Sequence, residues 1–263
     1  MSDLTPPDLY YQHSGRPGWA IPLTIFIGIP VTISLAAIYA YVVVYCPVIG
    51  YVNLLFLGAL IFCGGFLLDR IARVGKCRNP AVMTGMGLLL GCIALYASWL
   101  FFLGALLDDV SLLALITNPV GMWNIIGWFN ANGWWGPAGL IQWAIVATEA
   151  VAIVGGFTLA GRSAIGEDIF CEPCDAWCEP FETMLLKKDP TLPADQRPRD
   201  NLQILAQPET NNDDFPRYEA DVLQCESCQS MQAIRVYDVV KTVDGDEVKI
   251  ERELRPGVLV QRS

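Results

Sequence analysis

Four cysteines in the C-terminal part of the chain have a spacing that suits a metal ion. Cys171 and Cys174 form one C-x-x-C pair, and Cys225 and Cys228 form another. Two residues between the sulfurs let both thiolates of one turn reach the same ion, and two such turns complete a tetrahedral shell of four sulfurs. A closed shell has no open position for water or substrate, so the pattern predicts a structural site. A fifth cysteine, Cys178, could substitute as a ligand, but the C-x-x-C sulfurs are favoured because both pairs then match.

The segment from Phe170 to Val260 resembles a zinc ribbon, in which two C-x-x-C knuckles hold one ion beside a short antiparallel hairpin. The spacer between the pairs, residues 175–224, has 50 residues, against about 15–20 in the common pattern, so a long insertion is expected. Asp175 and Gln229 follow the two pairs, where glycine often helps the knuckle to turn. The resemblance implies zinc as the cofactor, with a rubredoxin-like iron site or a metal-free dithiol redox pair as alternatives. Its ligands would be Cys171, Cys174, Cys225 and Cys228.

One acidic residue lies inside an apolar segment. Glu149 follows 39 residues without a charged side chain, and Gln142 lies seven residues earlier on the same helical face. A carboxyl group at that depth of a membrane is unfavourable unless it is neutral or paired. The favoured interpretation is a protonated Glu149 hydrogen-bonded between helices. A proton or cation relay, or a binding site for a small polar molecule, are the alternatives.

Other catalytic arrangements find no support in the sequence. His13 is the only histidine, which excludes a histidine-based triad or a haem held by two histidines within one chain. No G-x-x-x-x-G-K-[ST] phosphate-binding loop is present. We therefore predict no catalytic residues and expect a non-enzymatic role.

The elements that must position these residues belong to a membrane protein. The chain has 263 residues, of which 53% are hydrophobic and 17% charged, whereas soluble domains carry about 25% charged residues. No charged side chain occurs in residues 17–68, 79–107 or 110–148. A membrane-spanning helix needs about 20 mainly apolar residues. Four segments meet this requirement and predict four spans: Trp19–Tyr45, Tyr51–Leu68, Ala81–Leu107 and Gly139–Ala160.

The predicted fold class is an all-α membrane bundle of four transmembrane helices followed by a small zinc-ribbon-like β domain. The predicted boundaries are an N-terminal segment of residues 1–18, a membrane domain of residues 19–161 and a metal-binding domain of residues 162–263. In the last part, short helices are predicted over Phe181–Lys188 and Leu202–Ala206. Strand-like patterns around Ile234–Thr242, Val248–Ile250 and Val258–Val260, with a turn at Asp244-Gly245, predict a three-stranded antiparallel sheet.

The distribution of basic residues predicts the orientation of the chain. The loop after the second span contains Arg70, Arg73, Lys76 and Arg78, while residues 46–50 and 108–138 contain no base. Basic residues favour the cytoplasmic side, so both termini and the cysteine pairs are expected there. Structural disulfides are rare in that reducing compartment, which favours metal binding. For a prokaryotic source, the location is the cytoplasmic (inner) membrane.

Small and aromatic residues predict how the helices associate. Gly87 and Gly91 form a G-x-x-x-G pattern in the third span, which allows a close helix–helix approach. The fourth span carries small residues at every fourth position: Ala144, Thr148, Ala152, Gly156 and Ala160. Between the third and fourth spans, an apolar stripe with helical spacing predicts a short amphipathic helix at the interface: Met122, Ile125, Ile126 and Phe129, with Asn124 and Asn130 away from it.

The net charge of the C-terminal part limits the kinds of partner that it can bind. Residues 162–263 contain 12 bases and 21 acids, a net charge of −9, which repels phosphate backbones and excludes nucleic acid. The expected partners are the lipid bilayer and either a second protein or another copy of the chain. The leading functional hypothesis is an accessory, scaffold or sensing protein whose metal-ribbon domain docks a partner. A small transporter or channel using Glu149, and a redox protein using the cysteine cluster, are the alternatives.

The orientation can be tested by cysteine labelling in intact cells. A membrane-impermeant maleimide should modify a cysteine introduced at Asn132 and leave one introduced at Ser263 unmodified, because basic loops stay inside. The parent chain, with its nine native cysteines, measures the background. The reverse labelling pattern would contradict both the orientation and the argument for a reducing compartment.

Overall fold

The computed structural model describes residues 14–46, 51–107, 111–133, 138–165, 168–188, 207–210, 215–229, 231–241, 247–251 and 258–261. It divides the chain into two compact units. Residues Gly15–Gly166 form the helical unit, and the second unit, which contains Glu167–Ser263, is called the sheet unit here. His13, Leu202–Ala206 and the Asp244-Gly245 turn lie outside the described residues.

Four helices of the helical unit are long and apolar enough to cross a membrane. They are the first span, Ala20–Tyr45, the second, Tyr51–Val74, the third, Pro80–Leu106, and the fourth, Leu140–Ser163. The first span contains a π-helical turn at Thr24–Gly28. These helices are consistent with the predicted multi-pass membrane protein. The second span extends six residues beyond its predicted end at Leu68, because Arg73 pairs with Asp69 one helical turn earlier at 3.1 Å.

One end of the helical unit is closed by hydrogen bonds between the first and second spans. The Trp19 amide donates to the Gly75 carbonyl at 2.7 Å, and the Arg78 amide donates to the Arg16 carbonyl at 2.8 Å. Asn79 caps the third span, because its Oδ1 accepts from the Val82 amide at 3.1 Å. Arg16 and the basic 70–78 segment therefore lie at the same end, as the orientation prediction requires.

Glycines bring the third and fourth spans into backbone contact. A Cβ at Gly87 would overlap the Phe157 carbonyl oxygen, and a Cβ at Gly161 would overlap the Met83 carbonyl oxygen. A Cβ at Gly91 would lie 3.0 Å from the Val154 Cα. The predicted G-x-x-x-G approach therefore occurs within the chain, between these two helices.

The small-residue face of the fourth span has two different environments. Near its C-terminal end, Gly156 faces Ile61 of the second span, and Ala160 lies 3.3 Å from the Cβ position of Gly65. Nearer its N-terminal end, Ala144 and Thr148 border a cavity. Only half of this face therefore serves helix packing.

A helix at Pro119–Asn132, preceded by a short helix at Leu112–Thr117, connects the third and fourth spans. Met122, Ile126 and Phe129 of the predicted stripe are buried against the third span, while Trp123 packs on Trp143 with ring centres 5.8 Å apart. The prediction was wrong for Asn130, which is buried. Its carbonyl accepts the Gly139 amide at 2.8 Å and joins the helix to the fourth span.

The described residues of the sheet unit form seven antiparallel-paired strands. β1 (Phe170–Cys171) pairs with β2 (Ala176–Trp177), and the other five form one sheet in the order β3-β4-β5-β6, with β7 also pairing with β5. Their bounds are Glu179–Lys187 for β3, Arg217–Gln224 for β4, Met231–Lys241 for β5, Glu247–Glu251 for β6 and Val258–Gln261 for β7.

Two sequence predictions for the sheet unit were wrong. Residues 181–187 of the segment predicted as a helix over Phe181–Lys188 belong to strand β3, and the sheet has five strands in the described residues instead of three. The predicted strands correspond to β5, β6 and β7. Leu186 of β3 is buried with Tyr218 and Ala220 of β4, and this long-range pairing overrides the local helix preference of the leucine-rich segment.

The packing of the third and fourth spans can be tested with two glycines of one helix. Gly87→Ala should destabilise the helical unit by ~1–3 kcal/mol, because the new methyl group overlaps a backbone carbonyl. Gly85→Ala is the matched control, since a Cβ at that position has no neighbour within 4 Å. Thermal unfolding of the full chain in detergent measures the difference. Equal stability of the two variants would contradict the observed helix contact.

Candidate metal centre

Each cysteine pair lies on its own turn. Cys171 is the last residue of β1 and Cys174 lies in the connection to β2, where Phe170 pairs with Trp177. Cys225 and Cys228 belong to the turn between β4 and β5, where Gln224 pairs with Gln232. The two turns are the first and second knuckles of the centre.

Pairing between β3 and β4 brings the knuckles together. Glu179, the first residue of β3, pairs with Gln224, the last residue of β4. Glu179 follows Cys178 in the chain and Gln224 precedes Cys225, so this pair places the end of the first knuckle beside the start of the second. The spacer of 50 residues thus supplies two strands of the sheet that positions the site, and sequence reasoning missed this role.

The four predicted ligands converge on one point. The Sγ atoms of Cys171, Cys174, Cys225 and Cys228 all lie within 4.8 Å of one another, and the Cys171 and Cys228 sulfurs, from different knuckles, are 3.7 Å apart. A tetrahedron with metal–sulfur bonds of about 2.3 Å has sulfur–sulfur edges of ~3.8 Å. The donor set and its spacing therefore fit a metal ion bound by four thiolates, as predicted.

Both knuckles contain a left-handed residue directly after the second cysteine. Asp175 has φ +51° and Gln229 has φ +54°, a conformation that favours glycine. The Asp175 amide donates to the Glu172 carbonyl, and the Gln229 amide donates to the Cys225 carbonyl at 2.8 Å. The knuckle geometry is therefore formed without the glycine that the common pattern uses.

An apolar cluster supports the first knuckle. Phe170 and Trp177 meet edge to face with ring centres 5.0 Å apart, and Ile169 and Leu223 are buried in the same cluster. Cys178 is buried there as well, and its amide donates to the Ile169 carbonyl at 2.8 Å. It is not one of the four clustered sulfurs, which agrees with the preference for the C-x-x-C residues.

The thiols of Cys171, Cys174 and Cys178 are held against ionisation. Hydrogen bonding to the Cys228 thiol is the main cause that raises the pKa of Cys174 to about 12. Burial raises the pKa of Cys171, and burial together with the charge of Cys225 raises the pKa of Cys178 to about 12. A bound cation supplies the positive charge that four adjacent thiolates require.

Glu149 and Gln142, the predicted polar residues of the membrane part, lie on one cavity in the helical unit. The Tyr39 hydroxyl of the first span donates to Glu149 Oε1 at 2.6 Å. Sequence reasoning missed Tyr39, which is 110 positions away and has no distinguishing local pattern. The bond joins the first and fourth spans.

The chain was also compared with known proteins. No protein-family model, curated protein or solved structure matches it. The functional argument therefore depends on the site geometry.

The ligand set can be tested by measuring bound metal in the full-length protein. Wild type should hold one metal ion per chain, and Cys225→Ser should lose most of it, because one missing thiolate opens the four-sulfur shell. Cys178→Ser and Cys77→Ser are matched controls that should retain the metal, since both are buried cysteines outside the cluster. Elemental analysis by mass spectrometry gives the content.

Full metal occupancy in Cys225→Ser, or a folded wild-type chain without metal, would contradict this ligand set. The visible spectrum distinguishes the metals, because a four-thiolate zinc site is colourless and the corresponding ferric site is red. Iron in the natively expressed protein would favour the redox alternative.

Proposed function

We propose that the chain is a non-catalytic, multi-pass membrane protein whose zinc-stabilised sheet unit docks a protein partner in an accessory or sensing role. The observation that carries the proposal is the closed cluster of four cysteine sulfurs. Four thiolates leave a metal ion no free position for substrate, so its contribution is to hold the two knuckles together. Zinc is the proposed ion because small two-knuckle sites of this kind usually contain it.

The edge of the sheet supports the docking role. β3 is an edge strand, and its C-terminal half is covered by residues 207–210, where the Thr210 amide donates to the Leu185 carbonyl and the Lys187 amide donates to the Pro208 carbonyl. Residues 179–183 of β3 are exposed. Within the described part of the chain, no strand pairs with their outer side.

Phe181 is the principal apolar group of this edge. The register between β3 and β4 shifts between Pro180 and Glu182, so Phe181 is the extra residue of a β-bulge, a feature that redirects a side chain. Its side chain is 68% exposed. Exposed aromatic side chains of this kind serve as anchors at protein interfaces.

The charges around Phe181 indicate the chemistry of the partner. Glu179 and Glu182 are exposed on either side of it, and Asp221 lies next to Thr183, which donates to its carboxylate at 2.7 Å. An acidic rim around an aromatic anchor fits an apolar pocket bordered by basic residues. We therefore propose a basic protein surface as the partner.

Site-specific photo-crosslinking in native membranes tests this docking surface. A benzophenone amino acid at Phe181 should give a discrete adduct with one protein, while the same probe at Glu226, an exposed residue of the second knuckle, should not. Phe181→Ser should then reduce co-purification of that protein by about tenfold or more, because the anchor is lost. Phe181→Leu should retain more of it, and metal content should not change in either variant.

No adduct at Phe181, or undiminished co-purification with Phe181→Ser, would contradict the docking proposal. A small transporter or channel using Glu149 stays the alternative function, because Glu149 lines a cavity. Ion or solute uptake by purified protein in liposomes, abolished by Glu149→Gln, would favour that alternative.

A further inference from the structure

The helical unit contains a cavity of about 660 Å³ that all four spans line. Tyr39 lies near the C-terminal end of the first span, and Asn53 and Gln142 lie near the N-terminal ends of the second and fourth spans. These ends are opposite to the end closed by the Trp19–Gly75 hydrogen bond. Ligand pockets commonly have about 300–1,000 Å³, so the volume suits an organic molecule.

The cavity combines apolar walls with hydrogen-bond acceptors. Trp99 and Phe102 contribute aromatic rings. Asn53 Oδ1 is buried, and no described group donates a hydrogen bond to it. Glu149 lies nine residues into the fourth span, about 14 Å along its axis, and accepts the Tyr39 hydroxyl. The Asn53 side-chain oxygen, which carries a partial negative charge, and the Glu149 carboxyl group therefore border a largely apolar cavity.

The sequence supplies no cation that could neutralise Glu149 within the spans. No Lys or Arg occurs between Arg16 and Arg70 or between Arg78 and Arg162. Those flanking bases belong to the opposite ends of the helices. The sequence between the third and fourth spans contains two acids, Asp108 and Asp109, and no base. An ionised Glu149 must therefore take its counter-ion from outside the chain.

We propose that this cavity binds a lipophilic organic cation. The cationic head would lie at Glu149, and the apolar body would fill the remaining space towards Asn53 and Gln142 near the helix ends. Trp99 and Phe102 add favourable contact between a cation and aromatic faces. A bare ion would leave most of an apolar cavity of this size unfilled. This proposal goes beyond the docking role of the sheet unit and does not depend on it.

Two ions of the same shape and opposite charge test the proposal. The full-length protein is placed in nanodiscs of zwitterionic lipid, and uptake of radiolabelled tetraphenylphosphonium and tetraphenylborate is measured by equilibrium dialysis against protein-free nanodiscs. We expect saturable binding of one tetraphenylphosphonium per chain, about tenfold or more tighter than tetraphenylborate. Equal uptake of the two ions, or no uptake above the lipid background, would overturn the proposal. The latter result means that lipid chains occupy the cavity.

Variants of the helical unit show whether binding depends on the charge of Glu149 or only on the shape of its side chain. Glu149→Gln should weaken tetraphenylphosphonium binding by about tenfold or more, because the carboxylate is lost while the side-chain shape is kept. Asp69→Asn is the matched control, since it removes the same charge near the opposite end of the second span, away from the cavity. It should leave binding unchanged.

A third variant, Leu57→Trp, fills the cavity while it retains Glu149, and it should also abolish binding. Monodisperse elution and unchanged thermal unfolding in detergent show that each variant is folded. Undiminished binding in Glu149→Gln would overturn the proposal. Failure of the Phe181 crosslinking would not affect this result, because the two experiments probe different units.

Discussion

Polar side chains within the apolar spans of the helical unit must find hydrogen-bond partners in the protein, and its structure depends on this constraint. Backbone groups are satisfied within helices, which is the solution that an apolar environment requires. Hydroxyl groups follow the same rule: Thr24, Thr84 and Thr158 each donate to a carbonyl one turn earlier in their own helix. Glu149 instead uses Tyr39 of another helix. Asn53 Oδ1, without a described partner, therefore marks the cavity as the place where a ligand could supply hydrogen-bond donors or positive charge.

The third and fourth spans are in close backbone contact, which fixes the distance between the two helices. Glu149 belongs to the fourth span. Gly87 and Gly161 admit no side chain at the contact between the third and fourth spans, so their separation is set by the backbones themselves. The cavity lies beyond this contact, where larger side chains such as Trp99 and Phe102 keep the helices apart. Small residues at one end and aromatic residues at the other thus explain why one helix face serves both packing and cavity lining.

The sheet unit has to bring together two knuckles that are far apart in sequence. The pairing of Glu179 with Gln224 brings them together, and the four clustered sulfurs suit a metal ion that would stabilise that arrangement. β4 is buried along nearly its whole length, and it contains a buried ion pair between Arg217 and Glu219 at 2.8 Å. Arg217 also stacks on Phe215 at 4.2 Å. A strand with this much buried polar structure holds the second knuckle in a defined position.

Local composition by itself predicted the four candidate spans, the four clustered cysteines and the acidic residue within the last of these helices. Insertion into lipid depends on windows of about 20 residues, and a C-x-x-C pair is a property of four consecutive residues, so both can be predicted from the sequence. Tertiary structure alone decided which groups meet: Tyr39 with Glu149, Gly87 with Phe157, and β3 with β4. The error over Phe181–Lys188 has the same cause. Its leucines favour a helix locally, but its strand partner lies 30 or more residues away, and only the folded chain brings that partner beside it.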